Sequence, residues 1–202
     1  ACISVDCITR LEQGRAANPS VQVVEALARA LRLSGDERTY LFGLAGLVPP
    51  GPDVVPGFIT PSVQRLLDRL VDTPVAVSDA AMTLLLANPM YAALMGDPSA
   101  LRGFERNAVW RNFMGVPSRA RHTPEERRAF EAGLVGELRA SSARYPADRQ
   151  LRRLIAELRT ESARFAELWD AGVVGRLQAS CKTIEHPQVG LLTLDCDLLR
   201  VE

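Results

Sequence analysis

The sequence predicts an α+β protein in which a small all-helical unit precedes a larger unit of helices and antiparallel strands. Apolar residues recur at helical spacing through residues 1–46, prolines and glycines crowd LVPPGPDVVPGFITP (residues 47–61), and the remainder alternates helical patterns with pairs of short β-type runs. Because closely spaced prolines exclude a continuous helix, residues 47–61 are expected to form a stiff, extended linker. The predicted units are therefore residues 1–46 and residues 62–202.

The composition is that of an ordinary globular protein, with 202 residues, 47% hydrophobic and 24% charged. No apolar run approaches the ~18 residues that a membrane span requires, and no signal-peptide pattern opens the chain, so we expect a cytoplasmic protein. The formal net charge is +0, so any nucleic-acid binding must rest on a local motif. The four cysteines form no CxxC pair and no Cys/His cluster. This predicts reduced thiols and no metal site.

Three short helices are predicted in the N-terminal unit. The first ends at Gly14, because glycine adopts the left-handed conformation without penalty. The Pro-Ser pair at residues 19–20 opens the second helix, and Ser34 or Asp36 caps the third, which stops at Gly46. The predicted inward-facing residues of the second and third helices are Val21, Val24, Leu27, Ala28, Leu31, Leu41, Phe42, Leu44 and Ala45.

Two β-hairpins are predicted in the C-terminal unit. The first joins apolar runs at residues 74–77 and 82–86 around a Ser-Asp turn. The second joins VVGRLQASCKTIE (residues 173–185) to GLLTLDCDLLRV (residues 190–201) through HPQVG. Helical patterns fill the chain between them. This order implies an antiparallel sheet with helices laid across one face.

The helices between the hairpins have recognisable starts. Asn88 caps one helix before a proline, and Thr123 with Glu126 forms a capping box that opens a longer one. A further helix is predicted to run without a break from Asp148 toward Trp169. Its apolar stripe is Leu151, Leu154, Ile155, Leu158, Ser162, Phe165 and Trp169.

The stretch ISVDCITRLEQGRAANPSVQVVEALARAL (residues 3–31) resembles the latter part of a helix-turn-helix domain of the Cro and lambda-repressor type, also called the XRE family. The shared pattern is I-x-R-x-E-x-G followed by a Pro-Ser pair, here Ile8, Arg10, Glu12, Gly14, Pro19 and Ser20. Such domains have two further helices before this point, so we expect an incomplete DNA-binding domain. The alternative is a solvated surface helix.

By this resemblance, the first helix of the chain is the DNA-reading element. In such motifs the recognition helix lies in the major groove, where its N-terminal side chains reach base edges and nearby polar groups hold phosphates. The resemblance implies base contacts for Val5, Asp6 and Thr9. It implies contacts near the phosphate backbone for Arg10 and Arg15. Because one short helix reads few bases, we expect a homodimer on repeated half-sites of double-stranded DNA.

Motifs of catalysis are absent from the C-terminal unit. It contains no GxSxG elbow, Walker loop, GxGxxG or HExxH pattern, and the two histidines, His122 and His186, are far apart. Carboxylates mostly lie beside arginines, as in EERR at residues 125–128, which is typical of solvated ion pairs. We therefore expect neither an enzyme nor a catalytic residue.

Five further stretches, LANPMYAALMGDP, RNAVWRNFMG, GELRA, LIAELRTESARFAELW and KTIEHPQVGLLTL, resemble MmyB-like transcription regulators in this order. The resemblance implies a PAS-like antiparallel sheet with helices that binds a small ligand, with a fatty acid as the ligand type. The matching positions are Asn88, Pro89, Asn107, Arg111, Phe113, Leu138, Arg139, Ser162, Phe165, Trp169, His186, Pro187 and Gly190. Ala87 replaces a usual tryptophan and Gly172 a usual histidine. The chain ends before the family's last strand, so we expect truncation at both ends.

The implied ligand would have an acidic head and an apolar tail. Arginine pairs bidentately with a carboxylate, and such pockets are mainly apolar with a few polar groups that fix orientation. The head-group candidates are Asn107, Arg111, Arg139 and His186. The tail candidates are Leu86, Phe113, Leu134, Phe165 and Trp169. The alternative is that the apolar residues are ordinary core and the arginines bridge surface acids.

These features together predict a ligand-responsive, DNA-binding transcription regulator. Its expected partners are double-stranded DNA, a small apolar carboxylate and a second copy of the chain, with no membrane and no cofactor. The alternative is a stand-alone lipid- or metabolite-binding protein that does not bind DNA. A small hydrolase ranks third.

Overall fold

A computed structural model describes residues 5–15, 18–49, 54–173 and 175–200. The chain divides into two compact units, residues 1–51 and residues 52–202. In the first unit the described residues form helices α1 (Val5–Glu12), α2 (Val21–Ala30) and α3 (Gly35–Leu44). None of the helices within the described ranges is long and apolar enough to cross a membrane.

The ends of these helices follow from local chemistry. The backbone nitrogen of Glu37 donates to Ser34 Oγ at 3.3 Å, and the Glu37 carboxylate accepts from the Ser34 backbone nitrogen at 2.8 Å. This capping box satisfies two donors at the start of α3, so Ser34 is the cap and Asp36 is not. Gly14 and Gly46 both have a φ of 66°, which confirms them as left-handed helix stops.

The core of the N-terminal unit is smaller than the apolar pattern predicts. Val24 and Phe42 are almost fully buried, and Arg38 of α3 forms a 2.8 Å ion pair with Glu25 of α2. The predicted inward positions Val21, Leu31 and Leu44 are wrong, because all three are exposed, whereas the unlisted Ala26 is buried. The three exposed residues lie at the first position of α2, just after its end, and at the last position of α3. The apolar spacing continues beyond the short stretch where α2 and α3 contact each other, so residues that fit it there are not buried.

The C-terminal unit contains six helices and five strands in its described residues. The helices are α4 (Pro61–Leu67), α5 (Pro89–Met95), α6 (Ala108–Phe113), α7 (Pro124–Arg144), α8 (Arg149–Glu161) and α9 (Ala163–Asp170). The strands are β1 (Ala76–Ser78), β2 (Leu84–Ala87), β3 (Ala120–Arg121), β4 (Ser180–His186) and β5 (Gly190–Cys196). Two 3-10 turns, Pro98–Ala100 and Gly103–Arg106, separate α5 from α6. Residues 54–60 form neither helix nor strand, and residues 50–53 of the expected linker lie outside the described residues.

Both predicted hairpins are confirmed, and so is the α+β class. Strands β1 and β2 pair antiparallel, as do β4 and β5. The described strands form two separate sheets, β1-β2 and β3-β4-β5, rather than the single sheet that we expected. Strand β3 was not predicted, because two residues are too few to produce an alternating pattern.

The predicted helix starts are confirmed, but one predicted helix is wrong. Asn88 caps α5, and Thr123 with Glu126 caps α7. The long helix from Asp148 is broken at Ser162, whose φ of −128° and ψ of 104° are extended. The Ser162 hydroxyl accepts from the Phe165 backbone nitrogen at 3.2 Å and so begins α9. Serine offers this local bond as an alternative to continued helix.

Helix α7 is central to the C-terminal core. Its Leu134, Val135 and Leu138 are fully buried, and α6 and α9 pack against it. Gly136 of the same helix meets the chain that leads to β4. A Cβ atom at Gly136 would overlap the backbone of Gly175, so only glycine permits this approach.

Candidate functional site

Arg111 lies on α6, one turn after Asn107, the residue that caps this helix. The Arg111 side chain is partly buried, and its Nε atom is buried with no hydrogen-bond partner among the described residues. A buried polar group without a partner is unfavourable, and a buried charge more so. The position is therefore suited to an anionic partner that the described residues do not supply.

Tyr91 of α5 lies within electrostatic reach of both Arg111 of α6 and Cys196 of β5. Burial raises the pKa of the Tyr91 phenol, the positive charge of Arg111 opposes that rise, and Cys196 adds to it. The phenol is thus partly desolvated and lies within electrostatic reach of the guanidinium. Neither Tyr91 nor Cys196 was predicted as a site residue. Tyr91 lies within the LANPMYAALMGDP stretch, but its proximity to Arg111 depends on the folded chain, and Cys196 lies outside the quoted stretches.

Asn107 is almost fully buried, and its amide is fully used within the protein. Its Oδ1 atom accepts from the backbone nitrogens of Val109 and Trp110 at 3.0 and 3.1 Å. Its Nδ2 atom donates to the Ala81 carbonyl oxygen at 2.7 Å and to Thr83 Oγ1 at 3.1 Å. These four bonds join the start of α6 to the β1-β2 hairpin and leave no donor for a ligand.

Arg139 has partners at the end of α9. Its guanidinium carbon lies 4.5 Å from the centroid of the Trp169 ring. The guanidinium also donates to the Trp169 carbonyl oxygen, and its Nε donates to the Val173 carbonyl oxygen at 3.3 Å. Arg139 thus binds two carbonyl oxygens, one in the last turn of α9 and one just after this helix.

His186 lies at the end of β4, where the β4-β5 turn begins. Its Nε2 atom is 3.1 Å from the Ala93 carbonyl oxygen, and its Nδ1 accepts from the Gln188 backbone nitrogen at 3.2 Å. The ring therefore joins the turn to α5. Among the four predicted head-group residues, Arg111 alone retains a buried N–H group without a partner in the described residues.

Most of the predicted tail residues lie together. The rings of Phe113 and Phe165 meet edge to face at 5.2 Å between centroids, and Phe165 stacks on Trp169 at 5.5 Å. Leu134 belongs to the same core and is fully buried, as is Phe165. Leu86 lies elsewhere, in an open cleft of about 350 Å³ along β2 and the start of α5. Four of the five tail residues thus form one apolar layer and pack against one another.

The predicted DNA-reading residues lie on α1 and just beyond it. Thr9, Arg10 and Arg15 are exposed, and the Arg15 backbone nitrogen donates to the Arg10 carbonyl oxygen at 2.9 Å. The side chains of Val5 and Asp6 lie outside the described residues. The two exposed arginines lie on either side of the Gly14 turn.

The described residues hold no group of three or more histidine, cysteine or acidic side chains placed to bind a metal ion. Cys181 and Cys196 are free thiols. The side chains of Cys2 and Cys7 are not among those described. Because Ser180 pairs with Cys196 and Cys181 with Asp195, the two described thiols point to opposite faces of the sheet.

Comparisons with known protein families agree with this arrangement. Residues 59–202 match the MmyB-like transcription regulator ligand binding domain, and residues 1–41 match a helix-turn-helix domain. Comparison with curated proteins found no match. A helix-turn-helix joined to a ligand-binding domain defines a ligand-responsive, DNA-binding transcription regulator. Because the first match covers well over half of the chain, the protein belongs to the MmyB-like transcription regulators.

Proposed function

We propose that the C-terminal domain of this regulator binds a fatty acid or a similar apolar carboxylate. The observation that supports this ligand class is the buried Nε atom of Arg111, which has no partner among the described residues. A carboxylate would supply the missing acceptor and balance the charge of the guanidinium. Tyr91 would donate a second hydrogen bond to the same carboxylate, since the phenol lies within electrostatic reach of the guanidinium.

The tail would lie against the apolar layer next to this head-group site. Helix α6 carries both Arg111 and Phe113, and Phe113 contacts Phe165. Each buried methylene contributes about 0.8 kcal/mol, so a tail of roughly ten carbons would offset the ordering costs of binding. Because Phe113, Phe165 and Trp169 pack against one another, an inserted tail must replace some of these contacts. Ligand binding would thereby change how α6 and α9 pack, as a response requires.

The N-terminal unit would bind duplex DNA through α1. We expect Thr9 near a base edge and Arg10 and Arg15 near phosphates, because all three are exposed on or beside this helix. A helix of 8 residues reads few base pairs. We therefore propose a homodimer that binds two half-sites about one helical turn apart.

Calorimetry with dodecanoic acid and dodecanol tests the ligand class, because the two molecules share a tail and differ in charge. We expect the acid to bind the wild-type protein at least ten times more tightly, from one charge-assisted pair of about 1.5–3 kcal/mol. Arg111→Ala should lose this preference, whereas the exposed control Arg149→Ala should keep it. A preference that survives Arg111→Ala would remove the head-group site.

An electrophoretic shift with the gene's own upstream DNA tests the second half of the proposal. Binding as a dimer to a repeated site would support the regulator. Tight binding of dodecanoic acid by a chain that binds no DNA would instead favour the stand-alone lipid-binding protein. Mass spectrometry of lipids extracted from the purified protein would identify the natural ligand.

A further inference from the structure

A carboxylate at the start of α8 holds the segment that enters the C-terminal unit. The Val55 backbone nitrogen donates to Asp148 Oδ2 at 2.8 Å, although the two residues are 93 positions apart. The other oxygen, Oδ1, accepts from the Leu151 backbone nitrogen at 2.9 Å and caps α8. One buried carboxylate thus serves a helix start and a distant chain segment at the same time.

The attachment point is firmly held. The Asp148 backbone nitrogen donates to the Tyr145 carbonyl oxygen, and the Asp148 carbonyl oxygen accepts from Arg152, both at 3.1 Å. Tyr145 is buried in the main core, and the Val55 side chain packs against that core. The bond thus attaches Val55 to the start of α8, which is itself packed into the core.

Helix α8 also connects this point to the proposed ligand site. Its Leu151, Leu154 and Leu158 lie in the same core as Phe165, and α6, which carries Arg111, packs against it. A helix moves largely as a rigid body when its packed face is displaced. A change of packing around Phe165 would therefore reach Asp148 at the start of α8.

We propose that the Val55–Asp148 hydrogen bond couples ligand binding in the C-terminal domain to the linker and the DNA-binding unit. This inference rests on the proposed fatty-acid site. Coupling requires that the linker bond differ in free energy between the bound and unbound states. The Val55 bond can meet that requirement, because it joins α8, which packs against α6, to a residue of the linker.

Asp148→Asn removes the linker bond with little other change. Asparagine caps helices about as well as aspartate, so its oxygen can still accept from Leu151. Its second group is an NH2, which cannot accept from the Val55 nitrogen. Asp97→Asn is the matched control, because Asp97 caps a 3-10 turn and its carboxylate accepts only from Ser99 among the described residues.

Hydrogen exchange of the full chain, with and without dodecanoic acid, measures the coupling. Without ligand, the Val55 amide should exchange about ten times faster in Asp148→Asn and unchanged in Asp97→Asn. Dodecanoic acid should still bind Asp148→Asn, with a change in affinity no larger than the coupling free energy, because the two sites are separate. In the wild type and in Asp97→Asn, dodecanoic acid should change the hydrogen-exchange rates of α1, α2 and α3. In Asp148→Asn this change should be largely lost.

Val55→Pro removes the same bond from the other side and should give the same loss of coupling, with thermal unfolding as the check on folding. An undiminished effect of dodecanoic acid on the N-terminal helices in either variant would overturn the coupling. So would loss of dodecanoic acid binding in a folded Asp148→Asn, since Asp148 would then belong to the ligand site. A wild-type chain that does not bind dodecanoic acid would refute the proposed function, and the coupling with it.

Discussion

The guanidinium of Arg139 lies over the indole ring of Trp169 and donates to the carbonyl oxygen of the same residue. One arginine thus contacts both the side chain and the backbone of a single residue at the end of α9. An arginine that resembles a ligand-binding residue in sequence has protein partners in the structure.

Arg139→Lys should therefore reduce stability without changing ligand selectivity. Lysine has no planar group to stack on the indole while it binds two carbonyl oxygens. We expect a loss of about 1–2 kcal/mol in the free energy of unfolding, measured with urea. The preference for dodecanoic acid over dodecanol should remain. Its disappearance would return Arg139 to the head-group site.

Trp169→Ala should weaken the binding of acid and alcohol by the same factor. The indole lies in the apolar layer and would contact only the tail, so the charge of the head group is irrelevant. Loss of an apolar contact of this size predicts a decrease of about 1.5–3 kcal/mol in binding free energy. Calorimetry with both molecules gives the ratio. A selective loss of acid binding would contradict the assignment of Trp169 to the tail.

Gly136→Ala should strongly destabilise the protein. The added methyl group would overlap the Gly175 backbone, and backbone cannot move aside as a flexible side chain can. Overpacking of this kind typically costs about 1–3 kcal/mol. Gly43→Ala is the control, because Gly43 is helical, exposed and has nothing within 4 Å of its Cβ position. This control should be neutral or stabilising by about 0.5–1 kcal/mol. Equal melting temperatures for the two variants would disprove the close approach.

Asp79 gives a pH dependence of known sign. Burial raises the pKa of its carboxyl above the ordinary 3.8, although Thr83 and Ala81 donate to it. The folded state therefore holds this proton more tightly than the unfolded state. Its contribution to stability is present below the unfolded pKa and is lost as pH rises through the folded pKa. Asp79→Asn keeps the Oδ1 acceptor and does not titrate. As pH rises through the folded pKa of Asp79, this variant should therefore become more stable relative to the wild type.

Urea unfolding from pH 3 to pH 7 measures this effect. Asp97→Asn should behave in the opposite way, because hydrogen bonds from Ser99 lower the pKa of the Asp97 carboxyl. Wild-type Asp97 stabilises the fold above its unfolded pKa, and that contribution is lost as pH falls through the folded value. Parallel profiles for the two variants would contradict the assigned environments.

Thr9 and Arg10 are neighbours on α1 with different expected roles in DNA binding. Arg10→Ala should weaken binding to all duplexes similarly, because a phosphate contact carries no base information. It should also reduce the slope of log affinity against log salt concentration by about 1. Thr9→Ala should change preference at one base pair by about 1–3 kcal/mol. Fluorescence anisotropy with single-site operator variants separates the two, with the exposed Arg29→Ala of α2 as the control. If Arg10→Ala lost specificity without losing affinity, Arg10 would be the base-contacting residue instead of Thr9.

Local chemistry was sufficient to predict several elements. Thr123, Gly14 and, as the cap of α5, Asn88 act on backbone groups within three or four residues, so these roles can be read from the neighbouring sequence. The break at Ser162 could not be predicted, because Leu158, Ser162, Phe165 and Trp169 keep helical spacing across it. An interruption that preserves the period leaves no mark in the apolar pattern.

The candidate site was less predictable, because it depends on contacts between distant segments. Arg111 and Arg139 are the same residue type on adjacent helical motifs. What separates them is the carbonyl groups at the end of α9, which satisfy Arg139 and not Arg111. Tyr91 lies within a quoted family stretch, but its proximity to Arg111 arises only in the folded chain.

The four hydrogen bonds of Asn107 make the start of α6 a pivot. At the other end of this helix, the Phe113 ring contacts the Phe165 ring edge to face. A ligand that pulls on Arg111 would therefore swing α6 about Asn107 instead of shifting it bodily. At a rise of 1.5 Å per residue, Phe113 lies about 9 Å from that pivot, so it would move farther than Arg111 itself. A ligand head group bound at Arg111 would thus displace the aromatic layer around Phe113 more than it displaces Arg111.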